Sequence, residues 1–256
     1  MERVSMGASM VGEAALVTGA ASGLGRATAL KLAALGANLC LVDLNAEGLA
    51  ETQALLSDSG VEVLFHPADL ADPAACSEAV AATVAQFGRL DALCNVAGLI
   101  YVANSHEMPL DQLNRTIAVN LVAPFLLSQA AIPHLLKTNG AIVNVASSAA
   151  FIGQAYTAAY SAAKAGLVQM TKAMAMEYVR QPIRINAVAP GGMMTNIALN
   201  FRLPEDAEVD LVKRYSGLRG LVEVEDVADM IALLATDAGR GYHGSCVTID
   251  AGITAG

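Results

Sequence analysis

The chain is poor in positive charge, in closely spaced cysteines and in linker-like sequence, and each shortage removes a class of function. Only 15 lysines and arginines stand against 24 aspartates and glutamates, for a formal net charge of −9. They are spread thinly, so no basic stripe can follow a phosphate backbone, and nucleic acid is not expected as a partner. Cys40, Cys76, Cys94 and Cys246 include no Cys-x-x-Cys pair, which suggests neither a disulfide framework nor a zinc site. They read as small buried apolar residues in a reducing compartment. His66, His106, His134 and His243 share no metal-ligand spacing either, so no metal is expected. Residues 1–11 hold Glu2 and Arg3 but no apolar core of a secretion signal. A cytoplasmic protein with a short N-terminal extension is the expectation, followed by one domain over 12–256.

What is abundant is apolar surface: 55% of residues are hydrophobic, and mean hydropathy is +0.49. Stretches 116–136 and 138–163 lack formal charge. The first is broken by Asn120, Pro124, Gln129, Pro133 and His134, the second by Asn144, Ser147, Ser148, Gln154, Tyr156 and Tyr160. Neither is the near-continuous run of about 20 apolar residues that a bilayer span needs. Burial against a sheet and against another subunit explains such helices better, and no membrane role is expected.

Short runs without polar alternation occur at 15–18, 39–42, 61–65, 92–94, 141–145, 185–188 and 247–249. That is how strands covered on both faces read. Between them, 24–35, 46–56, 73–87, 110–136, 160–179 and 225–235 suit helices. The alternation predicts an α/β doubly wound parallel sheet. The least regular stretch, 191–220, carries Met193, Met194, Phe201, Leu203 and Tyr215, and is expected to be a substrate lid.

Thr18-Gly19-Ala20-Ala21-Ser22-Gly23-Leu24-Gly25 joins the first strand to the first helix. Glycines there let backbone approach a pyrophosphate, and a helix N-terminus supplies unpaired amides and partial positive charge. Asp43 ends the second strand, where an acid can accept from both adenosine ribose hydroxyls and repel a 2′-phosphate. No Lys or Arg stands within 18–25 or just after Asp43, so NAD is expected over NADP. Asp69 is positioned to accept from the adenine amino group with Leu70 as an apolar wall, although Asp72 before Pro73 is the better helix cap. Asn95-Val96-Ala97-Gly98 closes the fourth strand with small residues.

Tyr160-Ser161-Ala162-Ala163-Lys164 puts a phenol and an ammonium on one helix face. Lys164, together with an oxidised nicotinamide ring, is expected to depress the phenol's pKa toward neutrality, as a general acid/base needs.

In the order and spacing of these motifs the chain resembles the short-chain dehydrogenase/reductase family over about residues 12–252. The glycine-rich segment 18–25, Asn95 to Gly98, the Tyr160/Lys164 pair and the Pro190-Gly191 turn carry the likeness. The resemblance implies a Rossmann fold. Further cofactor contacts would come from Leu44 beside Asp43, and from Met193 and Thr195 at the nicotinamide. It also implies that Ser147, thirteen residues before Tyr160 and distinct from neighbouring Ser148, binds the substrate oxygen. Asn120 would order a water beside Lys164, its side chain anchoring a proton relay. Two departures stand out: Asp250-Ala251-Gly252 replaces the usual Asp-Gly-Gly, and Val-Ala-Gly follows Asn95.

The activity implied is interconversion of a small-molecule secondary alcohol and ketone. The alternatives are reduction of a beta-ketoacyl thioester on a carrier protein, which would call for NADPH and a basic docking face, and a catalytically silent nucleotide sensor. Low charge on 110–136 and 160–179 fits the four-helix subunit contact of that family, implying a homo-oligomer, dimer or tetramer.

Overall fold

In the computed structural model, residues 8–195, 202–215, 217 and 219–255 are described, the Arg214 side chain excepted. The expected lid residues 196–201, 216 and 218 lie outside them. Seven strands form one parallel sheet: β1 (Ala14–Thr18), β2 (Asn38–Asp43), β3 (Val63–Pro67), β4 (Ala92–Asn95), β5 (Ala141–Val145), β6 (Arg184–Pro190) and β7 (Cys246–Ile249). Their order is β3-β2-β1-β4-β5-β6-β7. The chain winds outward from β1 in one direction and from β4 in the other, so a crevice opens where these two strands part.

Alternate strand residues face the two helical layers. Ala15, Val17, Leu39, Leu41, Cys94 and Val143 pack with α1 (Gly23–Ala34) and the late helix Val224–Ala235. Leu16, Cys40, Val42, Leu93 and Ile142 face α3 (Pro73–Phe87) and the helix Ala123–Thr138. With both faces covered, every residue of β1 and β5 is buried. Asp72 does cap α3, its side chain accepting from Ala74 N at 3.0 Å, and Gly88 ends that helix at φ 73°, a left-handed conformation glycine adopts freely. α2 (Ala46–Leu55) completes the first half.

Three expectations needed correction. The extension expected to run to residue 11 already packs at Met10, which is buried and donates to Leu35 O at 2.8 Å. The helix expected at 110–136 is α4 (Leu110–Ile117), a π turn (Ala118–Val122) and α5 (Ala123–Thr138) in succession. In the α-helical pattern Pro124 has no N–H for the Asn120 carbonyl, and the ladder shifts there to a wider turn. Leu110–Thr138 is, by length and hydropathy, able to cross a membrane, but half of its most apolar window is buried inside the chain. The third difference is a short helix inside the irregular stretch, α7 (Val209–Val212); between α5 and it runs α6 (Ala158–Glu177), and α8 (Val224–Ala235) follows. All four cysteines are free thiols, and burial pushes Cys94 up to about 12.

Candidate active site

A cleft of about 400 Å³ lies at the carboxyl ends of β1, β4, β5 and β6. One wall is the turn from β1 into α1. Gly19 holds φ 70° and Gly23 φ 50°, and a Cβ on Gly25 would sit 2.0 Å from the Gly19 carbonyl oxygen. Ser22 enters α1 extended, with no side-chain cap bond, so the helix's first amides have no side-chain acceptor and suit an anion. Thr18 Oγ1 accepts from the N–H groups of Val96 and Ala97, both at 3.0 Å, tying this turn to the end of β4. Gly25→Ala is expected to weaken nucleotide binding at least ~10-fold, because the methyl fits only by displacing the Gly19 carbonyl from the turn. Equilibrium dialysis showing unchanged affinity would contradict this.

Asp43 stands at the far end of the cleft. Its Oδ2 accepts from Ala21 N at 3.1 Å and its Oδ1 from Asn45 N at 2.9 Å. Arg26, the cation next to the glycine turn in sequence, is turned to α2: it donates to Thr52 Oγ1 at 2.9 Å, Glu51 Oε2 at 2.7 Å, Gly48 O at 3.2 Å and the Ala21 carbonyl.

Across the cleft, Ser147 leaves β5 extended and caps a single 3-10 turn, its Oγ accepting from Ala149 N at 3.2 Å. Its hydroxyl is near enough to the Tyr160 side chain to lower the phenol's pKa. Ser148 is buried and lines no part of the cleft. Tyr160 is in the first turn of α6, and Lys164, one turn on, is 3% exposed. The Lys164 ammonium donates to Val145 O at 2.7 Å and lies 5.7 Å from the Tyr160 ring centre. Burial pulls Lys164 down to about 8. Lys164 by itself does not depress the phenol: burial pushes Tyr160 up, opposed by the nearby Ser147 hydroxyl. The ammonium stands beside the ring rather than bonded to the phenol oxygen.

Of the residues singled out in the sequence, Gly19, Ser22, Gly23, Leu24, Gly25, Asp43, Ala97, Gly98, Ser147, Tyr160, Lys164, Pro190, Gly191, Met193 and Thr195 line the cleft. Five others do not. Leu44 points to solvent at 63% exposure, and Leu70 is buried in the core. Asp69 is taken up by Arg115, with three contacts of 3.1 Å, and by Ala71 N at 3.0 Å. The Ala71 amide and the Arg115 guanidinium hold its carboxyl below the usual range, leaving little acceptor capacity for adenine. Asn95 is buried and donates to Asn144 Oδ1 at 2.8 Å. Asn120 is buried in the π turn, its Nδ2 donating to Leu99 O at 2.8 Å and Thr116 O at 2.9 Å, its Oδ1 accepting from Leu99 N at 3.2 Å. Its side chain thus spends both donors and one of its two Oδ1 acceptor sites on backbone rather than on a relay. It fixes the loop after β4 instead, where a Cβ on Gly98 would come 2.9 Å from Asn120 Oδ1 and 3.5 Å from Lys164 Nζ.

Sequence reasoning missed Val96, Leu99, Ile100, Val145 and Ala146, which also line the cleft. Their adjacency to Ala97, Gly98 and Ser147 was the available signal. Arg115 carried none, because its partner lies 46 residues away.

A phosphate-binding helix start at the switch point of a parallel sheet, facing a phenol and an ammonium, is the arrangement of a nicotinamide nucleotide-dependent oxidoreductase. The family model described as enoyl-(acyl carrier protein) reductase matches residues 19–254. A 2,5-dichloro-2,5-cyclohexadiene-1,4-diol dehydrogenase of Sphingobium indicum is 37% identical over 248 residues, covering 96% of this chain and 98% of its own. The cis-4-hydroxycyclohexanecarboxylate dehydrogenase of Sinomonas cyclohexanicum is 37% identical over 252 residues, covering 98% of this chain and 100% of its own. The crystal structure of carveol dehydrogenase from Mycobacterium avium, in complex with NAD, superposes with a TM-score of 0.88 at 27% identity, over 97% of this chain and 100% of that one. The chain belongs to the short-chain dehydrogenase/reductase family.

Proposed function

We propose that the protein interconverts an uncharged alicyclic secondary alcohol and its ketone, using NAD, with Tyr160 as general acid/base. The observation that carries this reading is the convergence of Ser147, Tyr160 and Lys164 on one wall of a cleft whose far end holds Asp43. The glycine turn fits a pyrophosphate because a Cβ at Gly25 would fill the space its backbone approach requires. Asp43, with Arg26 already committed to Glu51, favours a ribose with a free 2′-hydroxyl, and NAD in the carveol dehydrogenase crystal supports the same choice.

Bound NAD supplies the hydride acceptor for oxidation and, as NADH, the donor for reduction. The protein's own groups do the rest. Ser147 spends an acceptor site on Ala149 N, which leaves its O–H to hold the substrate oxygen together with Tyr160. In oxidation Tyr160 takes the carbinol proton at its phenol oxygen, and Lys164, held by Val145 O, favours the phenolate from beside the ring. Asn120 positions these groups by pinning Leu99, and with it the Gly98 backbone that passes Lys164.

Substrate charge follows from the lining. Among the described lining residues the charged ones are Asp43 and Lys164, and the rest of the reacting end is Leu99, Ile100, Ala146 and Met193. Among the described lining residues no cation besides Lys164 stands to receive a substrate carboxylate, while the six-membered rings in the relatives' substrates, one of them a carboxylate, suggest an alicyclic body. Residues 191–220 are assigned to a substrate lid. Cyclic secondary alcohols assayed with both nucleotides test the reading. Neutral rings should exceed their carboxylated counterparts at least ~10-fold in kcat/KM, since a buried unpaired charge costs that much or more. Preference for the carboxylates, or for NADP, would defeat it.

A further inference from the structure

We infer that Tyr156 is a positioning residue that fastens the returning limb of the lid to the segment delivering Tyr160, and so sets affinity for the alcohol or ketone. The inference rests on the reading of the site given above. The two ends of the lid meet at its base: Val222 N–H donates to Gly192 O at 2.9 Å, and Leu221 lies against Gly192. Its outgoing limb carries Met193 and Thr195 into the cleft wall.

Three ties hold the described part of the returning limb. Asn104 Nδ2 donates to Asp206 at 3.0 and 3.2 Å. Glu208 N–H donates to the Tyr156 hydroxyl at 2.9 Å, and the Tyr215 hydroxyl donates to the Ala155 carbonyl. Two of the three ties therefore converge on consecutive residues just ahead of the catalytic helix. The two phenols are near enough that Tyr156, after burial, helps raise Tyr215 to about 12.

Tyr156 itself has φ 64°, in the left-handed region that an aromatic residue seldom occupies. Glycine would sit there without strain but could offer no hydroxyl. Its carbonyl accepts from Ala103 N at 3.0 Å, so the residue joins the loop after β4 as well. A rigid link to the reacting group follows: Thr157 Oγ1 donates to Gln154 O at 2.9 Å and lies 3.0 Å from Ser161 Oγ, beside Tyr160. Backbone strain held at one residue that joins lid, loop and catalytic helix is the signature of a position kept for its geometry.

The bond touches no reacting atom, so its loss should enlarge the open-lid fraction and weaken substrate binding by that fraction. Tyr156→Phe removes the acceptor and keeps the ring. Glu208→Pro removes the donor at a residue whose φ of −77° already suits proline. Each should raise KM for the ketone about 3- to 10-fold, the scale of one hydrogen bond, with kcat and NAD affinity within about 2-fold. The double variant should be no worse than either, because both remove one bond. Tryptic cleavage after Arg202, Lys213 or Arg219 should accelerate in both variants at an unchanged melting temperature.

Unchanged KM and cleavage in Tyr156→Phe, fully additive effects in the double variant, or equal losses in kcat and melting temperature would overturn the inference. If the unaltered chain turned over no alcohol or ketone, the functional reading would fall, and the cleavage rates would still decide whether Tyr156 holds the lid.

Discussion

Tyr160→Phe is expected to lower turnover at least ~100-fold, the usual worth of a positioned general acid/base, while nucleotide affinity changes less than about 2-fold. The phenylalanine ring fills the same space beside the Lys164 ammonium, so the cleft keeps its shape and loses one oxygen. The pH profile gives the test a second edge. Burial drives both groups toward their neutral forms, the phenol upward and the lysine down to about 8. The proton shed as pH rises through that value is the one on Lys164, and with it goes the charge that favours the phenolate. Ketone reduction, in which the phenol gives up its proton beside that charge, should therefore fall as pH rises through about 8. In Tyr160→Phe the residual rate should lose this dependence. Nearly intact turnover, or a pH dependence that survives the substitution, would remove Tyr160 from the reaction.

Asp43→Ala is the second large effect, with the dissociation constant for NAD rising ~10- to 100-fold as charge-assisted hydrogen bonds to the ribose are lost. NADP should bind no worse than before, because the same change deletes a repulsion against its 2′-phosphate. It should not become a good cofactor either, since Arg26 remains engaged by Glu51 and backbone carbonyls. Calorimetric titration with both nucleotides reads the difference. Equal losses for the two would mean that Asp43 serves only to hold the Ala21 and Asn45 amides.

Strand positions were legible because burial on both faces removes polar alternation, and β5 matches its expected span of 141–145. The glycine turn and the Tyr160/Lys164 pair were legible because their chemistry is local, within eight and five residues. What escaped was set by distant partners. Asp69 offered the same sequence signal whether it faced adenine or Arg115, and only the fold brings Arg115 across 46 residues to claim it. Asn120 was recognisable, yet its hydrogen-bonding capacity goes to Leu99, 21 residues back, and to Thr116. Pro124 was a usable sign of the π turn, since a missing N–H must disturb the helix before it. The sign of the Tyr160 shift could not be read at all, because it depends on how deeply the phenol is buried.

The strand order carries a consequence for biosynthesis. Strands β1, β2 and β3 lie within the first 67 residues and bring the glycine turn and Asp43 together. Gly191, by contrast, is held by a bond from its N–H to Ile249 O at 2.9 Å, on the strand nearest the C-terminus. A chain emerging from the ribosome thus carries the glycine turn and Asp43 long before Gly191 can be secured. Translation halted at about residue 245 would leave Gly191 without the Ile249 carbonyl that holds it.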